Sequence, residues 1–81
     1  MPFVYILKSP KFHKFYVGST DNLERRLSEH NSGLSFYTKR FMPWHVIYKE
    51  EFVNLSDARK REKYLKSAAG RRFIKKQNIP G

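Results

Sequence analysis

Five side chains in this 81-residue chain have types and positions suited to chemistry: Tyr5, Tyr16, Arg26, His30 and Glu62. The sharpest anomaly is Glu62. With the segment after Asn54 read as a helix, Leu55, Ala58 and Leu65 form an apolar stripe, and Glu62 falls inside it, about 40° from Ala58. Glutamate is seldom buried unless it is paired or holds a cation. Two readings follow. One is an internal salt bridge to Arg26 or Arg61. The other is a ligand for Mg²⁺, which typically takes one or two carboxylates and completes its shell with water and substrate phosphate.

Arg25 and Arg26 are adjacent but differ in the same kind of projection. Leu23 and Leu27 mark the buried side of a helix; Arg25 falls opposite it, while Arg26 and His30 lie along one edge of the stripe, one turn apart. Arg25 is therefore a solvated charge. Arg26 is held against the body of the protein, either as an ion pair or apolar-stem residue or with its fork free for a ligand. His30 is a hydrogen-bonded boundary histidine or a part of the same site. Tyr5 and Tyr16 read first as half-core tyrosines with hydroxyls at the rim. They project from one face of a hairpin if paired positions sum to an odd number of about 21, a parity that the sequence leaves open. Gly18 is a strand-ending glycine or a point of close approach by backbone or phosphate.

The elements that must position these residues are legible. Phe3 to Lys8 and Lys14 to Gly18 are β-branched and aromatic runs around a break at Ser9-Pro10, a hairpin. Asp21, three residues before Glu24, is the predicted N-cap of a helix that stops near Asn31-Ser32-Gly33. A connection from Leu34 to Pro43 has room for one short helix. Trp44 to Val53 reads as a third strand, and Asn54 or Ser56 caps a helix running to about Ser67. A last helix covers Ala68 to Gln77, weakened at its start by Gly70. The expected class is α+β: a small three-stranded sheet, antiparallel or mixed, flanked by helices in the order β-β-α-(α)-β-α-α, as one domain over residues 1–81. The last four residues, 78–81, are expected to fray.

Composition narrows the function. Seventeen Lys and Arg against seven Asp and Glu give +10, and nine of those cations stand between Asp57 and Lys76 against two acids. That stretch is a solvated helical face or, as clustering and net charge favour, a phosphate-tracking surface with Arg59, Lys63, Lys66, Arg71 and Arg72 as contacts. A nucleic-acid partner is expected. The absence of cysteine removes disulfides, Cys zinc sites and thiol nucleophiles. The short length argues against an interdomain cleft for an organic cofactor. The N-terminal apolar run is too short for a signal or a membrane span, so a cytoplasmic protein without membrane attachment is expected.

Taken together, Val4-Tyr5-Ile6 in place of Gly-Ile-Tyr, Tyr16-Val17-Gly18, Asp21 to His30, Tyr37-Thr38, the Pro43 to Tyr48 strand and Ala58 to Glu62 resemble the short bacterial members of the GIY-YIG nuclease superfamily. The resemblance places the motif tyrosines at Tyr5 and Tyr16, the catalytic arginine at Arg26 and the metal ligand at Glu62. It implies an endonuclease hydrolysing phosphodiester bonds with one Mg²⁺ or Mn²⁺ ion, on DNA rather than RNA, in a setting such as repair or recombination. Arg26 would brace developing charge, and Tyr5 or Tyr16, helped by His30, would orient or deprotonate the attacking water. The alternative is a non-catalytic basic binding module of the same fold.

Overall fold

The computed structural model describes residues 1–77; residues 78–81, expected above to fray, lie outside the described residues. Strands β1 (Phe3–Ser9) and β2 (Lys14–Thr20) are followed by helix α1 (Leu23–Asn31), a 3-10 turn over Thr38–Phe41, strand β3 (His45–Glu51) and helices α2 (Leu55–Leu65) and α3 (Ala68–Gln77). This is the expected order. The sheet is antiparallel throughout, in the spatial order β2-β1-β3.

The central strand explains the uninterrupted apolar run near the N-terminus. Val4, Tyr5, Ile6 and Leu7 are all at most 1% exposed, because both faces of β1 are covered. Val4 and Ile6 pack with Val17, Leu65 and Ile74 beneath α2 and α3. Tyr5 and Leu7 pack with Trp44 and with Leu23 and Leu27 of α1. Each such side chain contributes roughly 1.5–3 kcal/mol through burial, and together they fix which residues of β2 look toward α1 and which toward α2.

Local signals set the helix positions, with one correction. Asn22, not Asp21, is the N-cap of α1: its backbone is extended and its side chain accepts from Arg25 N–H at 3.0 Å. Asp21 instead lies 3.5 Å from the Arg25 guanidinium. Helix α1 ends as expected, with Gly33 at φ +85° and Leu34 N–H donating to the Glu29 carbonyl. Asn54 caps α2 by accepting from Asp57 N–H at 2.9 Å. β3 starts later than the sequence suggests because Trp44 turns into the core, its backbone held by the Asn31 amide through bonds of 2.7 and 3.0 Å. The α2–α3 junction explains Gly70: a Cβ there would meet the backbone of Leu65.

Candidate active site

The strand register settles the parity. Tyr5 pairs with Gly18 and Leu7 with Tyr16, so both tyrosines share the sheet face that α1 covers. Their rings are 6.3 Å apart. Gly18 is what lets Tyr5 lie flat across β2: a Cβ at that position would stand 2.5 Å from the Tyr5 hydroxyl and 2.7 Å from its ring. The close approach that the glycine permits is thus made by a phenol of the protein itself.

Helix α1 brings two residues to this face. His30 is fully buried, with Nε2 3.0 Å from the Tyr5 hydroxyl and Nδ1 2.8 Å from Thr38 Oγ1. Burial, reinforced by the nearby Arg26 charge, lowers its pKa to about 4, so the ring is neutral near pH 7. Burial and then the neighbouring Tyr16 raise the Tyr5 phenol to about 12, so it keeps its proton. One assignment satisfies the whole chain: Tyr5 O–H donates to Nε2, and Nδ1–H donates to Thr38 Oγ1. Tyr16 stands edge-on to His30 at 4.9 Å and is only partly buried.

Arg26 lies beside the phenols, as the helical projection indicated. Its Nη1 donates to Glu29 Oε1 at 2.9 Å, and this bond, with smaller help from the Tyr5 and Tyr16 hydroxyls, holds the guanidinium charged. The same bond draws the Glu29 carboxyl below its usual range. Arg25, with its side chain 61% exposed, reaches only Asp21 and Glu29.

Glu62 arrives from the opposite face of the sheet. Ser19 follows Gly18 and points the other way, toward α2, where its Oγ donates to Glu62 Oε1 at 2.5 Å; Lys66 Nζ donates to Oε2 at 2.7 Å. Neither sequence-predicted partner is used. Arg26 is engaged by Glu29, and Arg61 Nε lies 3.3 Å from Glu50 Oε1, an ion-pair distance without hydrogen-bond alignment. Glu62 is close enough for its charge to contribute to the raised Tyr5 pKa. The phenols, Arg26 and Glu62 therefore converge from both faces on one end of β2, an edge strand.

The expected substrate contacts Arg59, Lys63, Lys66, Arg71 and Arg72 are all exposed on or just after α2 and on α3, Lys66 with its ammonium paired to Glu62. Sequence reasoning did not pick out Ser19 at all, and quoted Thr38 only within the Tyr37-Thr38 pair of the family resemblance, without a role. Both are ordinary small polar residues whose contacts to Glu62 and His30 come from tertiary placement. The Glu62 carboxylate alone suits an ion such as Mg²⁺, which takes few protein ligands; the half-exposed Lys66 ammonium on Oε2 would have to swing away to make room for it. Among the described residues no cluster of three or more acidic, His or Cys side chains provides a full cage.

An α+β fold with two phenols, a guanidinium and a lone carboxylate near one strand end is compatible with a small nuclease domain. Residues 1–78 match the GIY-YIG catalytic domain, and the chain belongs to the GIY-YIG nuclease family. A UPF0213 protein of Clostridium perfringens is 43% identical over 67 residues, 82% of this chain and 71% of that protein. The structure-specific endonuclease subunit SLX1 of Debaryomyces hansenii is 47% identical over 51 residues, covering 54% of this chain but 15% of that protein. The solution structure of a UPF0213 protein from Bacillus halodurans superposes with a TM-score of 0.56 at 26% identity, covering 96% of this chain and 86% of that one. A nucleic-acid substrate follows from the family, whose members generally use divalent metal ions. No helix among the described residues is long and apolar enough to cross a membrane.

Proposed function

We propose that this chain is one nuclease domain, a Mg²⁺- or Mn²⁺-dependent endonuclease that hydrolyses phosphodiester bonds in DNA, acting in the cytoplasm in repair or recombination. The observation that supports it most is the convergence of Arg26, two tyrosines and Glu62 on the end of β2 from opposite faces of the sheet. Glu62 would hold the ion, which when bound supplies Lewis-acid polarisation of the scissile phosphate. Arg26 braces the charge that develops on the phosphate oxygens; its permanent charge and planar fork suit that role, and Glu29 keeps the fork oriented. Tyr16, the more exposed phenol, orients the attacking water. Tyr5 is too buried to meet that water and too weakly acidic to give up its proton, so it is a positioning residue, its hydroxyl held by the His30–Thr38 chain beside Tyr16 and Arg26.

Glu62→Gln tests the assignment. Its partner Lys66 is half exposed, and an exposed i,i+4 pair contributes only about 0.3–0.5 kcal/mol; the amide keeps an oxygen for Ser19. The melting temperature should hardly move, nucleic-acid binding should persist, and Mg²⁺-dependent cleavage across a set of branched, flapped and single-stranded substrates should disappear. Cleavage that survives in the well-folded variant removes Glu62 from the reaction.

A further inference from the structure

The edge of β2 that carries the site also bounds a cleft of about 380 Å³, lined by Phe15, Tyr16, Tyr37, Lys66 and Arg71 above an apolar floor that includes Val17. Its volume is within the roughly 300–1,000 Å³ typical of small-ligand sites, which suits individual nucleotides and not the breadth of a duplex. Two of its rings are unusually exposed for aromatic side chains, Phe15 at 45% and Tyr37 at 50%. Tyr37 is stacked 6.4 Å from Tyr16, which ties this wall to the catalytic phenols. Lys66 ties the other wall to Glu62. Aromatic faces beside cations form the arrangement on which unpaired bases stack while their phosphates are neutralised. A duplex keeps its base faces inside and would offer these rings only sugar and phosphate.

We infer that this cleft holds an unpaired segment of DNA, its bases against Phe15 and Tyr37 and its phosphates against Lys66 and Arg71, so that the domain acts where a strand has left the duplex. This rests on the nuclease reading and specifies its substrate. The choice of DNA comes from the nuclease reading, since the Tyr16 and Tyr37 hydroxyls in the cleft lining can meet either sugar, and the oligouridylate arm of the test decides it.

The test is fluorescence anisotropy in EDTA with three labelled probes: an oligothymidylate, the matching oligouridylate, and a blunt duplex with the same number of phosphates. The protein should bind oligothymidylate more tightly than duplex. Phe15→Ala and Tyr37→Ala should each weaken oligothymidylate binding by about 5- to 150-fold, leave duplex binding unchanged, and keep folded circular dichroism; Tyr37→Phe, which retains the ring, should bind like the parent. If Phe15→Ala loses its fold, Phe15→Leu keeps apolar bulk without a π face and should show the same selective loss. Equal affinity for single strand and duplex, equal losses on both probes, or tighter binding of oligouridylate would each overturn the inference. Cleavage with Mg²⁺ separates the two proposals. Selective binding of unpaired DNA by a protein that cuts no substrate would support the cleft and remove the nuclease reading, whereas equal cutting of duplex and single strand would keep the nuclease and overturn the cleft.

Discussion

His30 is buried with a single proton to share between Tyr5 and Thr38, and its depressed pKa makes it a pH liability. In the unfolded chain a histidine binds a proton below about pH 6.5, whereas His30 in the fold resists until about 4. Between those values the unfolded state binds more protons, so stability falls as the pH drops from about 6.5 to 4, with a slope of up to about 1.4 kcal/mol per pH unit from this group. Urea midpoints across that interval should show the slope, and His30→Gln, which keeps a donor and an acceptor, should flatten it. The two adjacent arginines give a second contrast. Arg26→Ala loses one partly exposed ion pair, a stability cost under about 1 kcal/mol, yet should slow cleavage by about 10² or more, while Arg25→Ala should alter it mildly. Equal losses in steady-state rates would remove the distinction. That distinction was legible because a helical wheel needs only local geometry. Of the partners of Glu62, Ser19 was not, because it reaches the carboxylate through strand placement, whereas Lys66 stands four residues on, a local pairing that the expectation of a buried arginine partner passed over.

At the scale of elements, Gly18 couples the hairpin to the site. An added methyl would press on the hydroxyl and ring of Tyr5 and stand 3.1 Å from Tyr16 Cε2. Tyr5 is closed in on every side, so it has little room to yield. Gly18→Ala should cost about 1–3 kcal/mol, in the range of overpacked cores, and should reduce cleavage by pulling Tyr5 away from His30. Thermal melts should show part of the stability returning when Tyr5→Phe is added, because the shortest contact then disappears. If Gly18→Ala melts and cuts like the parent, Tyr5 is not held where the structure places it. The elements themselves were readable from apolar runs and cap residues. Their register was not, because it depends on the connection between β1 and β2, where His13 adopts φ 54°, a left-handed conformation uncommon outside glycine that no composition rule places at this position. Gly70 is similar: it read as a weak helix start, and its reason is the backbone of Leu65 packed against it.

At the scale of the molecule, the acids and the bases are arranged differently. Asp21, Glu29, Glu50 and Glu62 are each spent on an arginine or lysine of the protein. Arg59, Lys63, Arg71, Arg72, Lys75 and Lys76 are exposed and form no ion pair among the described residues. The net charge of +10 and the crowding of cations between Asp57 and Lys76 were visible in the sequence, but their placement beside the β2 edge required the fold. Arg71 and Lys75 are one helical turn apart and together with Phe15 line a surface hollow, so a strand leaving the cleft would pass both. Binding should then weaken linearly in log K against log salt, each neutralised contact with a single strand adding about 0.7 to the slope. Arg71→Gln with Lys75→Gln should flatten that line by about two contacts, while Arg25→Gln on α1 should leave it unchanged. Titrations of oligothymidylate at several salt concentrations decide the matter: if the α3 pair has no effect on the slope, the phosphates follow another surface, and the basic charge of α3 serves solubility and not recognition.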